Sequence, residues 1–82
     1  MNNSSLDYAF RKYSNGSTSM SKLQFKCAFV YVTGMKPSKQ DMQVVTSYME
    51  STLPPGQRRP FNMEWKEFEK VMGIYIQQIE QG

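Results

Sequence analysis

Histidine is absent from this 82-residue chain. Without an imidazole, the chain lacks the most common catalytic acid–base group and the most common nitrogen ligand of metal ions. Cys27 is the single cysteine, so no disulfide can form within the chain, and no histidine is present to activate it as a nucleophile. We therefore expect no enzyme activity and no cofactor, and the scarcity of cysteine indicates a reducing, cytoplasmic location.

Long apolar runs and strong charge are also missing. No stretch approaches the roughly 20 apolar residues of a membrane span, and the opening sequence MNNSS is polar, unlike a signal peptide. The net charge is +3, and basic residues are adjacent only at Arg11–Lys12 and Arg58–Arg59. Nucleic-acid-binding proteins concentrate their positive charge, so we expect neither membrane nor nucleic-acid binding.

Helical periodicity is present in four segments. Their apolar stripes begin at Leu6, Phe25, Met42 and Met63. In the second segment, Val30–Val32 have β propensity, so a strand is the alternative there. The sequence predicts an all-α protein with one domain, residues 1–82, made of helix–loop–helix units at about 5–33 and 37–80.

Start and stop signals separate these segments. Ser21 with Gln24, and Ser38 with Asp41, have the spacing of capping boxes, in which each residue satisfies a free N–H of the other. Gly34 is suited to end the second helix because glycine accepts the left-handed conformation. Asn62 is the predicted cap of the fourth helix, after a loop that contains three prolines.

The order of these motifs resembles an EF-hand pair, one lobe of the calmodulin and myosin light-chain superfamily. The resemblance covers roughly residues 6 to 76. Its motif residues in the two loops and the join between them are Met20, Gln24, Phe25, Gly34, Pro37, Ser38, Asp41, Met63, Glu67 and Phe68. It implies four helices and a very short β-bridge between the loops.

The two loops depart from the family pattern at the calcium ligands. An EF-hand loop has 12 residues and places oxygen ligands at positions 1, 3, 5, 7, 9 and 12. If Gln24 is position 12, no carboxylate lies between Lys12 and Gln24. If Glu67 is position 12, Arg58 falls at position 3, where it would repel a cation. We therefore expect no bound Ca²⁺ and no other metal.

Myosin essential light chains are the most similar group within this superfamily. The resemblance implies a calcium-independent, cytoskeleton-associated light chain, monomeric when free, that binds an amphipathic helix such as the IQ-type neck segment of an unconventional myosin. One alternative is a non-motor scaffold subunit of a cytoskeletal or ciliary assembly that uses the same groove. Another is a small basic helical domain that binds nucleic acid.

Methionine and aromatic residues point to the surface that would bind this helix. The chain has seven Met, five Phe, five Tyr and one Trp, which is more than we expect a small lobe to bury, and methionine is common on surfaces that accept partners. The predicted groove residues are Phe25, Phe29, Val32, Val45, Met49, Phe68 and Met72. Val45 and Met49 are expected nearest the rim. Arg58 and Arg59, on the proline-containing loop, are predicted to be exposed and to contact an acidic patch of the partner.

Overall fold

Four helices account for most of the structure, a computed structural model that describes residues 3–81 and the side chains of residues 5–79. The helices are α1 (Asn3–Tyr13), α2 (Lys22–Thr33), α3 (Lys39–Glu50) and α4 (Trp65–Gln81). Two short strands, β1 (Ser19–Met20) and β2 (Met63–Glu64), form an antiparallel sheet. The predicted all-α class is confirmed, with this small sheet added. Within the described part of the chain, no helix combines the length and apolar character needed to cross a membrane.

Both predicted capping boxes are confirmed. At the start of α2, the Ser21 N–H donates to Gln24 Oε1 at 2.9 Å, and the Gln24 N–H donates to Ser21 Oγ at 3.2 Å. At the start of α3, Ser38 and Asp41 make the same two bonds at 2.9 and 3.0 Å. Each box satisfies two N–H groups that an uncapped helix would leave without a partner.

Gly34 ends α2 as predicted. Its φ angle is 77°, in the left-handed region, and its N–H donates to the carbonyl of Val30 at 2.8 Å. A side chain at this φ would be strained, which is why glycine is favoured at this position. Val30–Val32 are helical, so the strand alternative is wrong.

The predicted cap at Asn62 is wrong. Met63 and Glu64 pair with β1, and this pairing keeps them extended, so α4 begins two residues later than expected. The N–H of Glu64 donates to Glu67 Oε1 at 3.1 Å. The side chain three residues into the turn therefore satisfies the first N–H group, as it does in the two capping boxes.

The sheet joins the loop between α1 and α2 to the loop between α3 and α4. Met20 lies opposite Met63, and Ser19 lies opposite Glu64. Both methionines are completely buried, so the sheet brings the loops together above the core. The β-bridge expected between the loops is present.

The core lies beneath the sheet, between all four helices. Phe25 and Phe68 are completely buried at its centre, with ring centroids 6.3 Å apart in an edge-to-face arrangement. Phe10 packs on Phe68 with a centroid distance of 5.7 Å. Of the methionines whose side chains are described, Met20, Met42, Met49, Met63 and Met72 are buried and Met35 alone is exposed. The expected surplus of exposed methionine is therefore wrong, because these flexible side chains fill the core.

α3 is the helix least closely packed against the others. The helix pairs that approach most closely are α1 with α2, α1 with α4 and α2 with α4. α3 is attached mainly through three buried side chains, Met42, Val45 and Met49. As a result, the surface between α3 and α4 is only partly filled.

Candidate partner-binding surfaces

The structure places all seven predicted groove residues inside the core. None has more than 8% of its surface exposed: Phe25, Phe29, Val32, Val45, Met49, Phe68 and Met72. Val45 is 1% and Met49 is 3% exposed, so the expectation that these two lie near a rim is wrong. In this conformation the seven residues hold the helices together. Their contact with a partner stays a prediction and would require the helices to separate.

An open apolar groove lies instead between α3 and α4. Val44 and Tyr48 line one wall and Ile74 lines the other, and they are 56%, 37% and 53% exposed. Its volume is about 290 Å³, and the buried Val45 and Val71 form its base. The groove therefore presents side chains that are apolar but already accessible.

A second depression continues this groove toward the ends of α2 and α4. It adds the exposed side chains of Met35 and Ile79 and shares Asp41, Tyr75 and Gln78 with the first. Five of the nine exposed large hydrophobic residues on the described surface line these two depressions. We refer to both depressions together as the α3–α4 groove.

Asp41 and Tyr75 form a polar contact across the α3–α4 groove. The Tyr75 hydroxyl donates to Asp41 Oδ1 at 3.2 Å, while the other carboxylate oxygen accepts the Ser38 N–H. Chiefly because of this backbone bond, the pKa of Asp41 is lowered below its ordinary value, so the carboxylate is ionised at neutral pH with a wider margin than an unperturbed aspartate. Burial, followed by the charge of Asp41, raises the pKa of Tyr75. Asp41 is the negatively charged side chain that lines the groove, and the exposed Lys36 is the positively charged one.

Sequence reasoning missed Met35, Val44 and Ile74 as surface residues of this groove. Val44 and Ile74 lie beside the apolar stripes of their helices rather than on them. The sequence does contain an indication of this groove, because the apolar residues of α3 and α4 cover a wider part of each helix surface than one buried stripe requires.

The second loop, which connects α3 to α4, brings Arg59 into contact with Glu67. Arg59 Nη2 lies 2.7 and 2.8 Å from the two carboxylate oxygens of Glu67 and donates to the Asn62 carbonyl at 3.1 Å. The two charged side chains are only 28% and 20% exposed. The prediction that both loop arginines are exposed is therefore wrong for Arg59, whereas Arg58 is exposed.

The first loop, which connects α1 to α2, is held by hydrogen bonds to its own backbone and to that of α1. Asn15 and Gly16 both have positive φ angles, and the Gly16 N–H donates to the Arg11 carbonyl at 3.1 Å, which ends α1. The hydroxyl of the buried Ser14 lies 3.1 Å from the Ser17 carbonyl, to which it donates. These contacts order the loop through neutral groups.

Neither loop contains a cluster of carboxylates, among the described residues, that could bind a metal ion. Among the described side chains, those of residues 5–79, no three His, Cys, Asp or Glu groups lie close enough to hold a metal ion. Glu67, which the resemblance matches to position 12 of an EF-hand loop, accepts from the guanidinium of Arg59. The guanidinium of Arg59 thus occupies the side of the Glu67 carboxylate on which a metal ion would bind in an EF-hand loop.

Replacing Arg59 by Ala is expected to lower the free energy of unfolding by about 1–3 kcal/mol, because Glu67 would lose a charged hydrogen-bond donor in a partly buried position. Chemical denaturation measures this change. Arg58→Ala, one residue away and exposed, is the matched control and should change the free energy of unfolding by less than about 0.5 kcal/mol.

In a double-mutant cycle, Glu67→Gln should couple to Arg59→Ala by about 0.5–3 kcal/mol. Additive effects would show that the pair contributes nothing to stability.

Comparison with known proteins finds no matching family model, no matching curated protein and no matching solved structure. The functional interpretation therefore depends on the geometry of the two loops and of the α3–α4 groove.

Proposed function

We propose that this protein is an EF-hand-like lobe that folds without a metal ion and binds an amphipathic helix in the α3–α4 groove. The pairing of the loops supports the EF-hand interpretation. Met20 and Met63, which face each other in the sheet, are both position 8 when the loops are counted back from Gln24 and Glu67. Both position 12 side chains accept the N–H group of the residue three positions before them.

The observation that carries the proposal is the convergence of exposed apolar side chains on one groove. Along α4 the groove runs from Val71 to Ile79, which is about 12 Å, or two helical turns, at 1.5 Å per residue. A bound helix would place apolar residues at i, i+3, i+4 and i+7 in such a groove. A lobe whose own core is filled can therefore still offer a binding surface without opening.

The chemistry of the groove favours a helix with a basic residue beside its apolar stripe. The ionised Asp41 lies among apolar side chains in the groove, where it can accept from Arg or Lys of the partner. An IQ-type neck segment of an unconventional myosin combines these two features, and we propose it as the occupant. The apolar contacts supply most of the affinity, so the affinity should depend only weakly on salt.

The test is fluorescence anisotropy with a labelled IQ-type peptide, at low and high salt and in the presence of chelator. Ile74→Asp places a charge in the groove and is expected to weaken binding by more than tenfold. Leu23→Asp is the matched control, because Leu23 is 72% exposed on α2 and lines none of the described depressions at the α3–α4 groove. It should change the affinity by less than twofold.

Two results would contradict the proposal. Equal losses in the two variants would show that the peptide does not use the groove. Binding of a scrambled peptide with equal affinity would show attraction without recognition of an amphipathic helix. If a non-IQ amphipathic helix binds in the groove and the IQ-type peptide does not, the scaffold alternative is favoured over a light chain.

Calcium should not contribute to this function. In calorimetric titrations with millimolar Ca²⁺, we expect no binding tighter than about 10⁻⁴ M, whereas calcium sensors and buffers all bind more tightly than this. The physical reason is that Glu67 already faces the guanidinium of Arg59 and that the first loop contains no carboxylate. Binding in the micromolar range would contradict the metal-free interpretation of both loops.

A further inference from the structure

A second, positively charged concavity lies on the side of α3 that faces away from the α3–α4 groove. Its volume is about 540 Å³, and it lies between α3, the start of α2 and the second loop. The residues that line it are Lys22, Lys39, Met42, Gln43, Thr46, Ser47, Glu50 and Arg58. None of these residues lines the α3–α4 groove, so α3 separates two distinct surfaces.

Three cations share this concavity with one carboxylate. Lys22, Lys39 and Arg58 are all exposed, and none of them forms an ion pair within the described residues. By contrast, Arg11 pairs with Asp7, and Arg59 pairs with Glu67. A local excess of unpaired positive charge raises the concentration of negatively charged ligands at such a surface.

The shape of the concavity indicates the form of its ligand. Its wall follows α3 from Lys39 to Glu50, which is about 16 Å at 1.5 Å per residue. An extended peptide of roughly five residues spans this distance at 3.3 Å per residue. Thr46 and Ser47 offer hydroxyl groups, and Gln43 an amide, along this wall. These groups can hydrogen-bond to the main chain of a peptide.

We propose that this basic concavity binds an acidic segment of a partner protein in an extended conformation. Carboxylates of the segment would contact Lys39 at the start of α3, Lys22 at the start of α2 and Arg58 in the second loop. A single phosphate would be too short to follow the wall over its length of about 16 Å. A nucleic acid fits less well, because no aromatic side chain lines the concavity for base stacking.

The test is the anisotropy of fluorescein-labelled hexaglutamate with the full chain at low salt, with labelled hexaserine to measure binding of the dye. The triple variant Lys22→Gln, Lys39→Gln, Arg58→Gln is expected to bind hexaglutamate at least tenfold more weakly. The matched control is the triple variant Lys36→Gln, Lys66→Gln, Lys70→Gln, which also removes three positive charges but at exposed positions outside the concavity. It should remain within twofold of the original protein.

Three outcomes would overturn the proposal: equal losses in the two triple variants, hexaserine binding as tightly as hexaglutamate, or displacement by a single-stranded oligonucleotide at lower concentration than by unlabelled hexaglutamate. The last outcome would assign the concavity to nucleic acid. Ile74→Asp in the α3–α4 groove should leave hexaglutamate binding within twofold. The two surfaces can therefore fail or succeed independently, and circular dichroism confirms that each variant is folded.

Discussion

Replacing Phe68 by Ala is expected to lower the free energy of unfolding by about 3–5 kcal/mol. Phe68 is completely buried, and its ring packs against Phe10, Phe25 and Trp65 at centroid distances of 5.7, 6.3 and 6.3 Å. Removing the ring leaves a cavity that these neighbours cannot fill without losing contacts of their own. Since the free energy of unfolding of a domain of this size is only about 4–12 kcal/mol, the variant should lose a large part of its stability.

Thermal denaturation followed by circular dichroism measures this effect. A loss of 3 kcal/mol corresponds to a fall in Tm of roughly 12 °C or more for a chain of this length. Leu23→Ala, at a position that is 72% exposed, is the control and should stay within about 0.5 kcal/mol. A fall of only a few degrees for Phe68→Ala would show that the four helices are not packed around this ring.

Replacing Met49 by Gln is expected to cost about 2–4 kcal/mol. The two side chains are similar in size, so the main change is the burial of an amide at a position that is only 3% exposed. An amide without hydrogen-bond partners is unfavourable in an apolar core. Because Met49 is one of the three buried side chains that attach α3, we expect α3 to become less stable first.

Met35→Gln is the matched control, because the same substitution is made at a position that is 60% exposed. It should change the unfolding free energy by less than about 0.5 kcal/mol. Hydrogen exchange of the α3 amides should become faster in Met49→Gln and stay unchanged in Met35→Gln. A normal melting temperature combined with weaker partner binding in Met49→Gln would restore Met49 to the partner surface.

Local signals in the sequence predicted the ends of the helices well. The capping boxes at Ser21 and Ser38 and the glycine at position 34 act through contacts between residues three or four apart. Such contacts are encoded in sequence spacing, so no knowledge of the fold is needed to predict them. Asn62 failed as a cap because the position of α4 is set by pairing with β1, more than forty residues earlier in the chain.

The candidate surfaces could not be predicted in the same way. Helical periodicity identifies the apolar side of a helix, but it does not indicate whether a neighbouring helix covers that side. Periodicity alone therefore predicts a groove at Phe29 and Met72, although these residues belong to the core. Val44 and Ile74 can be recognised as groove residues only from the way α3 packs beside α4. The contact between Arg59 and Glu67 likewise depends on how the loop folds back.

The ion pair in the second loop has a thermodynamic consequence. A bound ion stabilises a fold by an amount that rises with the free concentration of the ion. The guanidinium of Arg59 is part of the chain, so its contribution does not depend on the free concentration of a bound metal ion. The order that this pair gives to the second loop is therefore not coupled, through Glu67, to the concentration of a metal ion.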